Sequence, residues 1–203
     1  MTHLSTYDDI ISNVKVYGLE DSVKASKYPM AVDISECDST IVDRTRKLGQ
    51  ADRGSGHDNF LKGIVVQFDL TFTIKAWTEA ERYHWLDFIS SQSTMHRITK
   101  FDPGKQCIDY VDPRIIEILQ EKIDIYNADP TPENYLAVLY NVPVGFRLTA
   151  RMTTNYQQLK TIYYQRKDHR LPEWRLFCEW IKTLPHFVEL CLRQLKTSKE
   201  SVE

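Results

Sequence analysis

Residues 64–75 read Ile-Val-Val-Gln-Phe-Asp-Leu-Thr-Phe-Thr-Ile-Lys, and this stretch decides the fold of the 203-residue chain. From Val66 onward, apolar side chains alternate with polar ones. A period of two is typical of a β-strand that buries one of its faces. The pattern therefore predicts a central strand at residues 64–75, with Phe68, Leu70 and Phe72 in the core.

Two weaker strand signals and a series of helix starts lie on either side of this segment. Alternation predicts a strand at residues 144–152 and a shorter one at residues 13–17. A capping box at Thr78 and Glu81 predicts a helix directly after the central strand. Further helix starts are predicted where a capping residue or a proline opens a helical pattern, at Asp112-Pro113, Thr131-Pro132, Thr154-Asn155 and Leu171-Pro172.

The order of these elements predicts the architecture. Strands and helices do not alternate regularly, which argues against a doubly wound parallel sheet. We therefore predict a single α+β domain over residues 1–203, an antiparallel sheet with helices packed on it. The tail at residues 196–203 is predicted to be disordered, because charged and small residues replace the apolar pattern there.

Composition and charge argue against several classes of protein. A formal net charge of -2 gives no electrostatic reason to expect general nucleic-acid binding. No apolar stretch approaches the roughly 20 residues needed to span a membrane. The first nine residues lack the basic and apolar regions of a secretory signal. We therefore expect a cytoplasmic protein without membrane contact.

Cysteine spacing argues against a metal site and against disulfides. Cys37, Cys107, Cys178 and Cys191 form no closely spaced pair of the kind that binds zinc, so no metal is expected. Disulfides are not expected in a chain without an export signal. Cys178 and Cys191 stand in apolar helical contexts, which predicts buried thiols.

Two polar segments are candidates for a binding site, although the common nucleotide-binding and hydrolase motifs are missing. Residues 155–170 are rich in amide and basic groups, and Arg166 or Arg170 has the forked donors that suit a phosphate. The alternative is a solvated helix face whose terminal charges favour the helix C-terminus. Residues 90–97 form either a nucleotide-binding loop or an ordinary polar turn after a helix.

Taken in chain order, these segments resemble the flavin-dependent thymidylate synthase family. The family's Gly-His loop and its long strand ending in Lys-Ala are similar to Gly56-His57 and Ile74-Lys75-Ala76. Its serine-rich nucleotide loop is similar to residues 90–97, and its Asn-x-x-x-Leu helix ending in arginine is similar to residues 155–166. The resemblance covers residues 13–195, by order and spacing with few identities.

Carried over residue by residue, the resemblance implies a site. His57 and Asn155 would lie near a flavin, which is FAD in this family. Five residues would bind a pyrimidine deoxynucleotide: Ser90, Ser91, Gln92, Arg97 and Arg166. The resemblance also implies a folate-type one-carbon donor, and a homotetramer whose sites form between subunits.

Two motifs of the family are not retained. Trp85-Leu86-Asp87 stands where the family has the Arg-His-Arg that grips the flavin, and residues 138–143 lack the expected arginine. The resemblance predicts an enzyme that transfers a one-carbon unit to C5 of a dUMP-like substrate and reduces it. The alternative keeps the fold for another pyrimidine modification, or for nucleotide binding without flavin. A structural or interaction protein without a small ligand is the third possibility.

Overall fold

A computed structural model describes residues 1–193, and the tail predicted at residues 196–203 lies outside that range. The strands are β1 (Ile11–Tyr17), β2 (Val65–Thr73), β3 (Asp87–Ser91) and β4 (Arg147–Asn155). The helices are α1 (Leu19–Ala25), α2 (Asp43–Gly49), α3 (Ile74–Ala80), α4 (Thr94–Arg97), α5 (Pro103–Gln106), α6 (Pro113–Ala128), α7 (Pro132–Leu139), α8 (Tyr156–Arg166), α9 (Pro172–Ile181) and α10 (Phe187–Cys191). None of these helices is long and apolar enough to cross a membrane.

The four strands form one antiparallel sheet in the order β1-β2-β4-β3. Strand β2 is central, as predicted, and pairs with β4 from Val65 opposite Asn155 to Thr73 opposite Arg147. The three side chains predicted to lie in the core are fully buried: Phe68, Leu70 and Phe72. The predicted α+β class, an antiparallel sheet with packed helices, is confirmed.

Helix α9 covers the apolar face of the sheet. Its Trp174, Phe177 and Trp180 pack against Phe68 and Phe72, with ring centroids 4.5 to 6.0 Å apart. Tilted and edge-to-face aromatic pairs of this kind add to the stabilisation that burial provides. The predicted burial of two thiols, Cys178 on α9 and Cys191 on α10, is confirmed.

Helices α6 and α7 form an insertion before β4 with its own group of buried residues. Leu119, Ile123 and Val138 pack with the fully buried Phe146. Leu148 of β4 packs against both this group and the main core. The insertion is therefore joined to the end of the sheet.

The boundary between β2 and α3 differs from the prediction. The helix begins after Thr73, whose hydroxyl accepts a hydrogen bond from the Ala76 amide at 3.1 Å. Thr78 is not a cap, because its hydroxyl donates to the Lys75 carbonyl inside the helix. The predicted capping box at Thr78 is therefore wrong, and the helix cap lies five residues earlier.

The start of β4 differs for a related reason. The carbonyls of Val144 and Phe146 accept hydrogen bonds from the amides of Lys75 and Ile74, both at 2.9 Å. These carbonyls serve the first turn of α3 and not a neighbouring strand. Strand β4 consequently begins at Arg147, three residues later than the pattern predicts.

The segment predicted as a polar loop, residues 90–97, is mostly regular structure. Ser90 and Ser91 end the edge strand β3, whose pairing with β4 shifts register between Phe88 and Ser90. Residues Thr94–Arg97 form α4. All five residues of β3 are exposed, so no alternation of burial marks this strand in the sequence.

Candidate functional site

Strand β3 and helix α3 border a cavity of about 220 Å³, which we name the edge cavity. Its lining includes two predicted nucleotide-binding residues, Ser91 and Gln92, together with Thr149. It also includes Trp77 and Phe88, whose ring centroids lie 5.0 Å apart. Aromatic surface with a few convergent polar groups is the usual composition of a small-molecule site.

Backbone pairing fixes the polar side of the edge cavity. The Gln92 amide donates to the Thr149 carbonyl, and the Gln92 side-chain oxygen accepts from the Thr149 amide, both at 2.9 Å. The Trp77 indole donates to the Leu148 carbonyl at 3.0 Å. Gln92 Nε2 makes no hydrogen bond within residues 1–193, so it remains a free donor for a ligand.

The other two residues of the predicted nucleotide segment do not line the edge cavity. Ser90 lies opposite Arg151 in the ladder and is exposed. Arg97 is exposed at the end of α4, and its guanidinium makes no ion pair with any residue of the described chain. Tyr135 anchors α4, because its hydroxyl donates to the Met95 carbonyl at 2.9 Å. Arg97 is therefore an exposed cation without an ion-pair partner in residues 1–193, on a helical turn that Tyr135 fixes in place.

Arg166 is engaged by partners within the protein. Its Nε donates to the Tyr83 hydroxyl at 2.6 Å, and its Nη2 donates to Glu79 at 3.3 Å. The guanidinium also lies 5.1 Å from the ring centroid of Trp174, within the range of a cation–π contact. The side chain is 14% exposed. Arg166 therefore lies at the end of α8, as predicted, but its guanidinium is already bound by Tyr83 and Glu79.

Electrostatics reinforce the pair between Arg166 and Glu79. Burial raises the pKa of Glu79, but the positive charges of Arg166 and two neighbouring cations outweigh burial and lower the pKa below its ordinary 4.5. Glu79 is consequently ionised at neutral pH and neutralises Arg166. A phosphate reaches this guanidinium only by displacing Glu79 or by using the remaining Nη1 donors.

Asn155 caps helix α8. Its side-chain oxygen accepts a hydrogen bond from the Gln158 amide at 3.0 Å, which is a sufficient physical reason for asparagine at this position. The same residue lines a cavity of about 140 Å³, which we name the corner cavity. Its other lining residues are Val65, Trp85, Asp87, Thr153 and Thr154.

His57 is exposed in the loop of residues 54–59. Gly54 and Gly56 have φ of 81° and 77°, a left-handed conformation that glycine adopts at low cost. The loop and α8 line a third cavity, of about 350 Å³, with polar groups from Arg53 and Gln157 among others. His57 itself makes no side-chain hydrogen bond within residues 1–193.

A buried ion pair beside His57 fixes this loop to α8. Lys160 Nζ donates to Asp58 at 2.9 Å and to the carbonyls of Gly49 and Ala51 at 2.7 and 2.6 Å. The Asp58 and Lys160 side chains are 1% and 3% exposed. Sequence reasoning missed this pair. The available signal was that Lys160 falls on the same helical stripe as the apolar Tyr156.

A single chain does not bring the predicted site residues together. Ser91 and Gln92 share the edge cavity, Asn155 lines the corner cavity, and His57 lies on the exposed loop. Sequence reasoning missed the side chains that surround the candidate residues. They are four aromatic residues and one carboxylate: Trp77, Glu79, Tyr83, Trp85 and Phe88. The available signal was the close spacing of four aromatic residues from the middle of α3 to β3.

The sheet order, the covering helix α9 and the helical insertion before β4 define an α+β fold of the flavin-dependent thymidylate synthase type. The chain superposes on flavin-dependent thymidylate synthase from Helicobacter pylori, complexed with FAD and dUMP, with a TM-score of 0.70. This match covers 90% of our chain and 100% of that chain at 15% sequence identity.

Two further structures agree. Thymidylate synthase X from Helicobacter pylori with FAD and dUMP matches with a TM-score of 0.67 and 16% sequence identity. This match covers 89% of our chain and 94% of that chain. The UMP/dUMP methylase PolB from Streptomyces cacaoi, bound with 5-bromo-dUMP, matches with a TM-score of 0.61 and 17% sequence identity. This match covers 88% of our chain and 92% of that chain. No family model and no curated protein matches the sequence. The similarity establishes the fold.

Proposed function

We propose that this protein is an enzyme that binds a pyrimidine deoxynucleotide of the dUMP class and modifies it at C5. The observation that carries the proposal is the fold, shared over 88% to 90% of the chain with structures that contain dUMP or its 5-bromo derivative. One-carbon transfer and reduction, as in flavin-dependent thymidylate synthase, is the finer form of the proposal. A folate-type donor would supply the carbon.

The edge cavity is the proposed place for the pyrimidine ring. Trp77 and Phe88 supply an aromatic surface, and aromatic rings stack favourably on planar heterocycles. Ser91 can donate or accept, and the free Nε2 of Gln92 can donate to a ring carbonyl. Uracil offers two carbonyl acceptors and one N–H donor, which suits this set.

Two arginines are proposed for the anionic part of the nucleotide. Arg97 is the stronger candidate, because its guanidinium is exposed and unpaired within residues 1–193. Arg166 is already neutralised by Glu79, so a phosphate would have to displace that carboxylate or use the remaining Nη1 donors. Ser90 is exposed on β3, directly before Ser91 of the edge cavity, and is the last of the residues proposed to bind the substrate.

The residues of this chain do not fit the flavin grip of the family. Leu86 is 4% exposed and belongs to the core, so it cannot donate to a cofactor. Asp87 places a carboxylate in the stretch where the family has arginine, and an ionised carboxylate has no hydrogen-bond donor to offer a cofactor. No step of the reaction is therefore assigned to FAD, although His57 and Asn155 remain the proposed flavin-facing positions if it binds.

This misfit favours a second candidate function. The same fold and edge cavity would serve another pyrimidine modification, or nucleotide binding without flavin. The visible absorbance of the purified protein separates the two candidates. A yellow protein with a flavin spectrum supports the first, whereas a colourless protein that binds dUMP supports the second.

Calorimetric titration with dUMP tests the proposal directly. We expect wild-type protein to bind dUMP and Arg97→Ala to bind it more weakly by about 1.5–3 kcal/mol, the cost of a hydrogen bond to a charged group. Arg44→Ala is the matched control, since Arg44 is an exposed arginine on α2. Failure of wild-type protein to bind dUMP, UMP or dTMP at millimolar concentration would overturn the proposal.

A further inference from the structure

The edge cavity contains a carboxylate to which the proposed function gives no role, that of Glu81. Glu81 caps the C-terminal end of α3 and follows Trp77 by four residues. Side chains at this spacing lie next to each other on the same side of a helix. Both residues line the cavity, so the carboxylate lies beside the aromatic pair of Trp77 and Phe88.

The Glu81 carboxylate is not neutralised within the protein. It makes no hydrogen bond and no ion pair with any residue from 1 to 193, and Glu81 is exposed. Two cations of the same segment, Lys75 and Arg82, pair instead with Glu79, at 3.7 and 3.6 Å. Glu79 lies on a different side of α3, where it also contacts Arg166. The negative charge of Glu81 is therefore available to a ligand in the edge cavity.

The other polar groups of the cavity supply a donor. Gln92 uses its side-chain oxygen to accept from the Thr149 amide at 2.9 Å, which leaves its Nε2 for a ligand. The Thr78 hydroxyl donates to the Lys75 carbonyl at 2.7 Å, so its proton is already used. The carboxylate of Glu81 can only accept. A ring that suits this cavity therefore offers a donor next to an acceptor.

We propose that the edge cavity prefers a cytosine nucleotide to a uracil nucleotide, and that Glu81 determines this preference. The 4-amino group of cytosine donates to Glu81, and the neighbouring ring nitrogen N3 accepts from Gln92 Nε2. Glutamate accepts from the same amino group where proteins read cytosine in DNA. The inference rests on the proposed function, because it names the base of the nucleotide that this cavity takes.

Uracil meets Glu81 less favourably than cytosine does. It has a carbonyl oxygen in place of the amino group, and a carboxylate has no proton to donate to that oxygen. The uracil N3–H can donate to Glu81, but carbonyl oxygens flank this group on both sides and repel the negative charge. Ser91 and Gln92 still provide donors for uracil, so dUMP binds, but more weakly than dCMP.

Calorimetric titrations of the full chain with dCMP and with dUMP test the inference. The two ligands share their sugar and phosphate, so the ratio of their dissociation constants reports on the base alone. We expect dCMP to bind about tenfold more tightly or better, as a hydrogen bond to a charged group allows. Binding of dCMP without dUMP would also support the inference, and would favour the second candidate function.

Two other results would count against the inference, and they are distinguishable. Equal or tighter binding of dUMP would overturn the preference and leave the proposed function standing. If none of dCMP, dUMP, UMP and dTMP binds, the proposed function fails and the inference fails with it.

Glu81→Gln tests the role of the carboxylate itself. Glutamine has a similar size, and its amide can donate to the uracil carbonyl, so the preference for dCMP should disappear or reverse. An unchanged melting temperature would show that the fold is intact. Glu133→Gln, a change of an exposed glutamate on α7, is the matched control and should keep the preference. A preference that survives Glu81→Gln would reject Glu81 as its determinant.

Phe88→Ala tests whether the base lies in the edge cavity. Stacking on an aromatic side chain tolerates any base, so this change should weaken dCMP and dUMP by a similar factor and leave their ratio unchanged. Affinities equal to those of wild type would place the base outside the edge cavity and would overturn the inference.

Discussion

Two cations on α8, Lys160 and Arg166, show how partners decide what a charged residue can do. Lys160 has three donors, and Asp58 and two backbone carbonyls use all of them. Arg166 has five N–H donors, of which Tyr83 and Glu79 use two. Lys160 is therefore confined to holding the loop of residues 54–59, whereas Arg166 retains donors that a ligand can reach.

Replacement of Lys160 by methionine should destabilise the protein strongly. The change leaves the Asp58 carboxylate buried without its cation, which costs about 3–5 kcal/mol. Urea unfolding measures the loss. Lys167→Met is the matched control, because the Lys167 side chain is 44% exposed and its ion pair should contribute less than about 1 kcal/mol. Equal effects of the two substitutions would contradict the buried pair.

The pair between Glu79 and Arg166 should make stability depend on pH. Since the pKa of Glu79 is below its ordinary 4.5 in the folded protein, its contribution is fully present above that value. The contribution is lost as the pH falls through the folded pKa. Unfolding free energies of wild type and Glu79→Gln should therefore differ more at pH 7 than at pH 3. A difference that is constant with pH would show that Glu79 is not paired as described.

At the scale of elements, one hydroxyl joins β2, α3 and α9. Thr73 accepts a hydrogen bond from the Ala76 amide at 3.1 Å and donates to Glu173 Oε1 at 2.5 Å. Glu173 is 1% exposed, and its other oxygen has no partner among residues 1–193. The contact fixes where α3 leaves the sheet and thereby positions Trp77 in the edge cavity.

Thr73→Val should consequently destabilise the protein more than its small change in shape suggests. The substitution removes a helix cap, at about 0.5–2 kcal/mol, and leaves a buried carboxylate without its donor, at about 1–3 kcal/mol. The change in unfolding free energy, measured by chemical denaturation, gives the sum of these two costs. In Thr71→Val only a partly exposed threonine pair with Thr149 is lost, so the effect should stay below about 1.5 kcal/mol. A loss at Thr73 no larger than at Thr71 would be inconsistent with this role.

Elements with a local signal could be predicted from the sequence. The Asp112 and Thr131 side chains accept hydrogen bonds from Arg114 and Asn134, as the Asx-Pro and Thr-Pro patterns indicate. Strand β3 gave no signal, because every one of its residues is exposed. The local sequence favoured the wrong start of α3, because Thr78 has the capping-box pattern and Thr73 does not. Pairing of Thr73 with Arg147 on β4 decides between them, and that contact is not local.

The candidate site was less accessible to sequence reasoning than the fold. Ser91 and Gln92 were found through a family resemblance, and their hydroxyl and amide would have served a polar turn equally well. The aromatic wall of Trp77 and Phe88 depends on a strand that the sequence did not indicate. The Lys160 pair joins residues far apart in the chain, and no spacing rule connects such residues.

At the scale of the whole molecule, the candidate residues lie in separate places and one helix exposes apolar surface. Helix α6 buries Leu119 and Ile123, yet Ile115, Ile118 and Ile125 are 41% to 48% exposed. Apolar surface on a second side of a helix is a common feature of subunit contacts. Both observations support the proposal that sites are completed between subunits of a homo-oligomer, a homotetramer in the resemblance.

Subunit mixing tests this proposal, because it asks whether Gln92 and Arg97 serve the same nucleotide from different chains. Gln92→Ala and Arg97→Ala should each lose most dUMP binding alone. If sites form between chains, unfolding the two variants together and refolding them should restore part of the binding, through interfaces that combine one intact residue from each. Refolding each variant separately is the control, and light scattering should give about four times the 23.8 kDa of one chain.

Ile118→Glu should dissociate the assembly and abolish binding with it, since burying a charge in an apolar contact is costly. A monomer at micromolar concentration that still binds dUMP would place the complete site in one chain, and the separation of these residues would then need a conformational change to bring them together.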